Sequence, residues 1–233
     1  MYEDGYFVQH YKTEVLMKKY IRFFFICGFF LFLSEIWKQY CITYIVNKNC
    51  YDWWYFPFQL CSIPMYICLL LPFVTEKIRK IFLTFLMTFG LMGGSFTFFD
   101  TSGLHYPYAP LTVHSYLWHI LLIIIGITAG ICRKKSTAKE FLGSAFCYLS
   151  CCAVATALNI AFHSYGNINM FYISPYYAMS QKVFGNIANL TGNNAGIIIY
   201  ITANLTGAYV IFRIWALIFQ ALDRKEKTTI FFV

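Results

Sequence analysis

Residues 112–132 read TVHSYLWHILLIIIGITAGIC and are followed at once by Arg133, Lys134 and Lys135. No Asp, Glu, Lys or Arg interrupts the run, and its apolar residues do not alternate. A helix needs about 20 such residues to cross the hydrocarbon core of a bilayer. Lipid offers the backbone no hydrogen-bond partner, so only a helix or a closed barrel can span it. A barrel strand would alternate apolar and polar residues, and this stretch does not. The segment therefore reads as a transmembrane helix ending on a basic cytoplasmic turn.

Working outward, the same pattern recurs at 21–37, 56–74, 78–99, 141–162 and 195–220. The expected fold class is all-α, a polytopic membrane bundle of six transmembrane helices. Its parts are a cytoplasmic N-terminal segment (1–20), the membrane domain (21–222) and a cytoplasmic tail (223–233). Lys and Arg set the orientation. Fourteen lie on the side of the N-terminus, in the first segment, around 77–80, around 133–139 and in the tail, against three opposite: Lys38, Lys48 and Lys182. By the positive-inside rule both termini are cytoplasmic. A multi-pass protein of the cell membrane is expected, with no cleavable signal peptide at its polar start.

Composition agrees. The 233 residues are 59% hydrophobic, 21% aromatic and 12% charged, where a soluble domain carries roughly 25% charged residues. The net charge of +8 would suggest nucleic acid on a soluble protein. Here the basic residues occupy short turns between apolar runs, which marks topology and attraction to anionic lipid head groups. No nucleic acid partner is expected; membrane lipids are the solvent and the candidate substrate. Nine cysteines, most within apolar runs, form no disulfide framework. Only Cys41 and Cys50 fall where an oxidising exterior could pair them. Gly90 with Gly94, and Gly126 with Gly130, have the small-xxx-small spacing that lets helices approach closely in lipid. A long polar connection, rich in Asn, precedes the last span, and loops of that size are usually functional or re-entrant.

Ionisable residues placed in a membrane are costly and point to function. Glu35, Cys61, Asp100, His114 and His119 all fall toward the outer ends of the expected helices. Cys61 and His119 would lie roughly 8 and 10 Å below the outer boundary, at one level. A histidine that takes the thiol proton makes the cysteine a nucleophile toward an ester carbonyl, through a thioester. Pro64 leaves an unbonded backbone acceptor beside Cys61. His114 stands about 140° around the helix from His119, so one serves as catalyst and the other as a loop-side group. Asn167 and Asn169, with His114, Glu35 and Asp100, are candidates for holding the substrate. No tight His-x₃-His pair supports zinc, and neither a metal nor a cofactor is expected.

Three stretches carry a resemblance: YDWWYFPFQLCSIPMY from Tyr51, HYPYAPLTVHSYLWH from His105 and GNINMFYISP from Gly166. Together they resemble the YwaF-like integral membrane proteins, over roughly residues 35–185. That family is similar to a vertebrate transmembrane acyltransferase that moves fatty acyl chains between phospholipids. It is more distantly similar to membrane hydrolases of fatty-acid esters of hydroxy fatty acids. The resemblance implies a catalytic Cys in the Leu-Cys motif, here Cys61, and a catalytic His, here His119. Two functions remain open: a lipid-directed acyltransferase or hydrolase using Cys61 and His119, and a non-catalytic membrane protein that binds or transports a small ligand in an outward-facing polar pocket.

Overall fold

The computed structural model describes the backbone of residues 2–230 and the side chains of residues 16–224. Among the described residues the chain is helical with irregular connections and no strand. In chain order the helices are α1 (Tyr2–Tyr40), α2 (Ile63–Leu70), α3 (Glu76–Phe85), α4 (Leu91–Phe96), α5 (Ala109–Cys132), α6 (Ala138–Phe162), α7 (Lys182–Thr191) and α8 (Asn193–Ile230). Among the described residues, four helical stretches are long and apolar enough to cross a membrane: Leu16–Val46, Ala109–Cys132, Ala138–Tyr165 and Asn193–Arg224.

The segments at 56–74 and 78–99 take less regular forms. Residues 56–62 turn without forming an α-helix, and α2 starts only at Ile63, with proline in its first two positions. A proline there loses no helical hydrogen bond, so Pro64 begins the helix rather than interrupting one. Arg79 closes the other end: Nε donates to the Leu71 carbonyl at 3.2 Å and Nη2 to that of Val74 at 3.1 Å. Helices α3 and α4 join through a π-helical turn, Leu86–Gly90. Threonine hydroxyls reach back along it, Thr84 to the Lys80 carbonyl and Thr88 to that of Thr84. A π turn shifts the ladder and frees carbonyls; that of Met87 accepts the Trp215 indole N–H from α8 at 3.2 Å.

The glycine spacing sits at true contacts. A Cβ on Gly126 would lie 2.7 Å from Leu91 Cβ and 3.0 Å from Leu91 Cα, and one on Gly94 would lie 2.9 Å from Leu122 Cβ. Both residues occupy one seam, where α4 and α5 touch nearly backbone to backbone. Gly130 faces the Trp215 ring instead. Helix α6 opens three residues before the expected span, at a capping box in which the Thr137 hydroxyl accepts from Glu140 N–H and the Glu140 carboxylate from Thr137 N–H. Within the polar connection before the last span lies α7. It turns back on α8 at Gly192, whose φ of +90° suits glycine. Cys41 and Cys50 are free thiols.

Candidate functional site

A cavity of about 640 Å³ opens among α1, α4, α5, α8 and the irregular segments 54–62 and 171–172. That is within the usual size of a ligand site, roughly 300–1,000 Å³. Cys61, His114, His119 and Asp100 all line it, together with Lys38 and Tyr172. Trp118, Phe171, Phe184 and Met92 supply apolar wall. Glu35 stands just behind the wall; Asn167 and Asn169 are outside it.

His119 is buried on α5, and its Nδ1 lies 2.8 Å from the Ser115 carbonyl oxygen. A carbonyl only accepts, so Nδ1 carries the hydrogen and Nε2 is the basic nitrogen. Cys61 lies in the turn before α2 rather than one and a half turns inside a helix. Its backbone carbonyl accepts the Trp118 indole N–H at 3.1 Å, so the residue beside the base positions the backbone of the candidate nucleophile. Among the described residues no hydrogen bond joins the Cys61 thiol to His119. Contacts of this kind commonly tighten only once a substrate is bound. His114 packs between Trp37 and Trp118, with ring centroids 5.5 and 5.6 Å away, and its Nε2 is buried without a partner. Both histidines line the cavity despite their angular separation, because the cavity wraps around the start of α5.

Lys38 was legible only as an outer-side charge, yet it lines the cavity. Its ammonium lies 2.8 Å from Glu35 and 5.9 Å from the centre of the Trp118 ring. Glu35 is held in turn by Gln39, which also donates to the Tyr55 carbonyl at 2.6 Å. Asp100 is at the rim, where hydrogen bonds from Ser102 hold its carboxyl below the usual range, so it is anionic at neutral pH.

The Asn-rich connection folds down to form part of the wall. Asn159 fastens Met170 through two hydrogen bonds, and Gln59 accepts from Phe171 N–H at 2.7 Å and donates to the Asn169 carbonyl at 3.1 Å. Phe171 and Tyr172 have positive φ, 57° and 58°, a conformation costing roughly 1–3 kcal/mol per residue outside glycine. The Gln59 and Asn159 amides hold it in place. Asn169 spends its side chain on the loop, accepting from Ser174 N–H and donating to the Ala178 carbonyl. Gln59→Leu strips both ties at once. Amide hydrogen exchange at Phe171 is expected to quicken by at least about tenfold, the equivalent of one lost hydrogen bond; unchanged exchange would show that the loop is held otherwise.

Among known proteins, the family model described as the TMEM164 family matches residues 5–222. No curated protein and no solved structure matches the chain.

Proposed function

The chain belongs to the TMEM164 family, and on that premise we propose that it is a lipid-directed acyltransferase or hydrolase working through a thioester on Cys61. The observation that carries the reading is that Cys61 and a histidine with its Nε2 fixed as the basic nitrogen line one cavity of about 640 Å³, within the usual size of a ligand site. His119 Nε2 takes the Cys61 proton, and the thiolate attacks the ester carbonyl of a bound lipid. The carbon–oxygen bond breaks, the leaving alcohol receives the proton from His119, and the acyl group stays on sulfur. A second alcohol, or water, then attacks the thioester; His119 takes its proton and returns it to the departing thiolate. Lys38, Asp100 and His114 would meet a head group or carbonyl. Asn169 and Glu35 brace the lining residues Gln59 and Lys38 from outside the cavity wall, and Asn167, exposed beyond the wall, would reach only a protruding head group.

The protein is a multi-pass membrane protein. Six crossings with both ends cytoplasmic, in the cell membrane, is the arrangement we infer. The fifth and sixth crossings would be α2 with its irregular lead-in and the continuous helical stretch 76–96. The latter is about 31 Å long, enough for a hydrocarbon core. The excess of Lys and Arg on one set of turns supports the orientation, and with it a Cys61 cavity that opens toward the outer leaflet.

The test is incubation of the purified protein with vesicles of phosphatidylcholine carrying a labelled acyl chain, with a lysophospholipid as acceptor. The expected result is a Cys61 acyl adduct, seen by intact mass and removed by hydroxylamine, that passes its label to the acceptor. Neither adduct nor labelled product would reject the reading. The absence of a thiol–imidazole hydrogen bond favours a second one, a non-catalytic pocket for a small ligand or transported solute. It expects ligand binding with no covalent mark and little change in Cys61→Ser.

A further inference from the structure

Helix α5 carries the Cys61 cavity at its start and a second, smaller cavity at its end. About 21 Å of helix separates His119 from Arg133, so the two share no lining residue. The second cavity, of about 250 Å³, lies between the α5–α6 turn and the last described part of α8. Three consecutive cations, Arg133, Lys134 and Lys135, form one side with Ser136, and Trp215 and Phe219 form the other. The two aromatic rings are stacked, 5.7 Å apart and 15° from parallel. Asp223 adds one carboxylate at the rim.

A snorkelling basic turn would leave all three heads in solvent, and this one does not. The side chain of Arg133 is only 11% exposed, with Nη2 held by Glu140 at 2.6 Å. That bond ties the arginine to the residue that caps α6, so the guanidinium is fixed rather than free to follow the interface. Its Nε is buried with no hydrogen-bond partner, so the guanidinium keeps donor capacity beyond the Glu140 pair. Lys134 and Lys135 are exposed beside it. Trp215 is fixed too, packed on Gly130 and hydrogen-bonded to the Met87 carbonyl. A fixed guanidinium, two exposed ammonium groups and an apolar floor at a membrane boundary match one ligand chemistry, a phosphate joined to an apolar body. Basic pockets between helices at a bilayer surface take such head groups, and guanidinium is the side chain suited to phosphate oxygens.

We propose that this cavity is a binding site for the phosphate of an anionic lipid, independent of the Cys61 site, with Arg133, Lys134 and Lys135 as donors and Trp215 and Phe219 against the glycerol and upper acyl chain. The phosphate oxygens meet the three cations, and Asp223 stands at the rim. Occupancy would tie the α5–α6 turn to α8.

The test uses the purified full chain in a neutral detergent, read by native mass spectrometry and thermal unfolding with added dioleoyl phosphatidic acid, dioleoyl phosphatidylcholine or inorganic phosphate. Phosphatidic acid is expected to bind and raise Tm, and phosphatidylcholine to do neither. The double variant Lys134→Gln/Lys135→Gln changes only exposed side chains, and is expected to weaken phosphatidic acid binding by about thirtyfold. Arg133→Gln should weaken it further; because it also breaks the Glu140 pair, it is read only alongside the double variant. Inorganic phosphate matching the lipid's effect in wild type and losing it in the double variant would assign the site to a soluble phosphate compound. Equal binding of phosphatidic acid by wild type and the double variant, or no binding by wild type, would overturn the proposal.

Discussion

Cys61→Ala is expected to abolish the proposed acyl transfer, lowering turnover by at least about a thousandfold, because it removes the nucleophile of a covalent mechanism. The variant loses only a thiol, because the features that place the residue belong to its backbone. Its carbonyl still accepts the Trp118 indole N–H, and the turn into α2 is closed by the Ser62 N–H donating to the Gln59 carbonyl at 2.8 Å, with Pro64 in the first helical turn. Expression and Tm therefore remain near wild type, and the lost turnover reports chemistry. His119→Ala is expected to fall by about a hundredfold to ten-thousandfold, the range of a general base. Turnover retained in Cys61→Ala would remove the covalent mechanism whatever His119 does.

The second large effect is on folding. In Gly126→Leu the new Cβ would start 2.7 Å from Leu91 Cβ and 3.1 Å from the Leu86 carbonyl oxygen. Part of what it meets is backbone, so no rotamer change relieves the overlap. Helices α4 and α5 must separate, and Gly94 loses its own seat against Leu122 across the same seam. Between helices in lipid, close packing supplies much of the attraction, so separation is costly. We expect a loss of about 3 kcal/mol or more, the upper end for overpacking, seen as a lowered Tm in detergent. Gly103→Ala is the control, since nothing lies within 4 Å of a Cβ there. Equal Tm values for the two variants would mean that the α4–α5 seam does not hold the bundle.

Much of this architecture is legible along the chain because its causes are local. The uncharged run at 112–132 becomes α5, and each small-xxx-small pair supplies one glycine, Gly94 or Gly126, to the α4–α5 seam, while Gly90 faces Pro64 and Gly130 faces Trp215. Thr137 and Glu140 spell a capping box that places the start of α6 more accurately than hydropathy does. Pro64, whose position in the expected span suggests a broken helical bond, instead lies in the first turn of α2. The candidate site depends on contacts that no local pattern holds. Gln59 meets Phe171 across 112 positions, and Trp118 meets the Cys61 carbonyl across 57. Lys38 looks like an ordinary outer charge, and only the packing of α1 against α5 turns it toward the cavity. Asn169 illustrates the converse. A buried asparagine in a polar loop suggests ligand contact, but the loop backbone consumes its amide. Helix α7 hides in the same connection because hydropathy registers spans and passes over a short helix lying among polar residues.

The most direct measurement of the central claim is labelling of the purified protein with an acyl-reactive, activity-based probe, comparing wild type with Cys61→Ala and His119→Ala. The account predicts one labelled site in wild type, none in Cys61→Ala and strongly slowed labelling in His119→Ala. Equal labelling of all three proteins would contradict it and leave Cys61 as part of the wall of a ligand pocket.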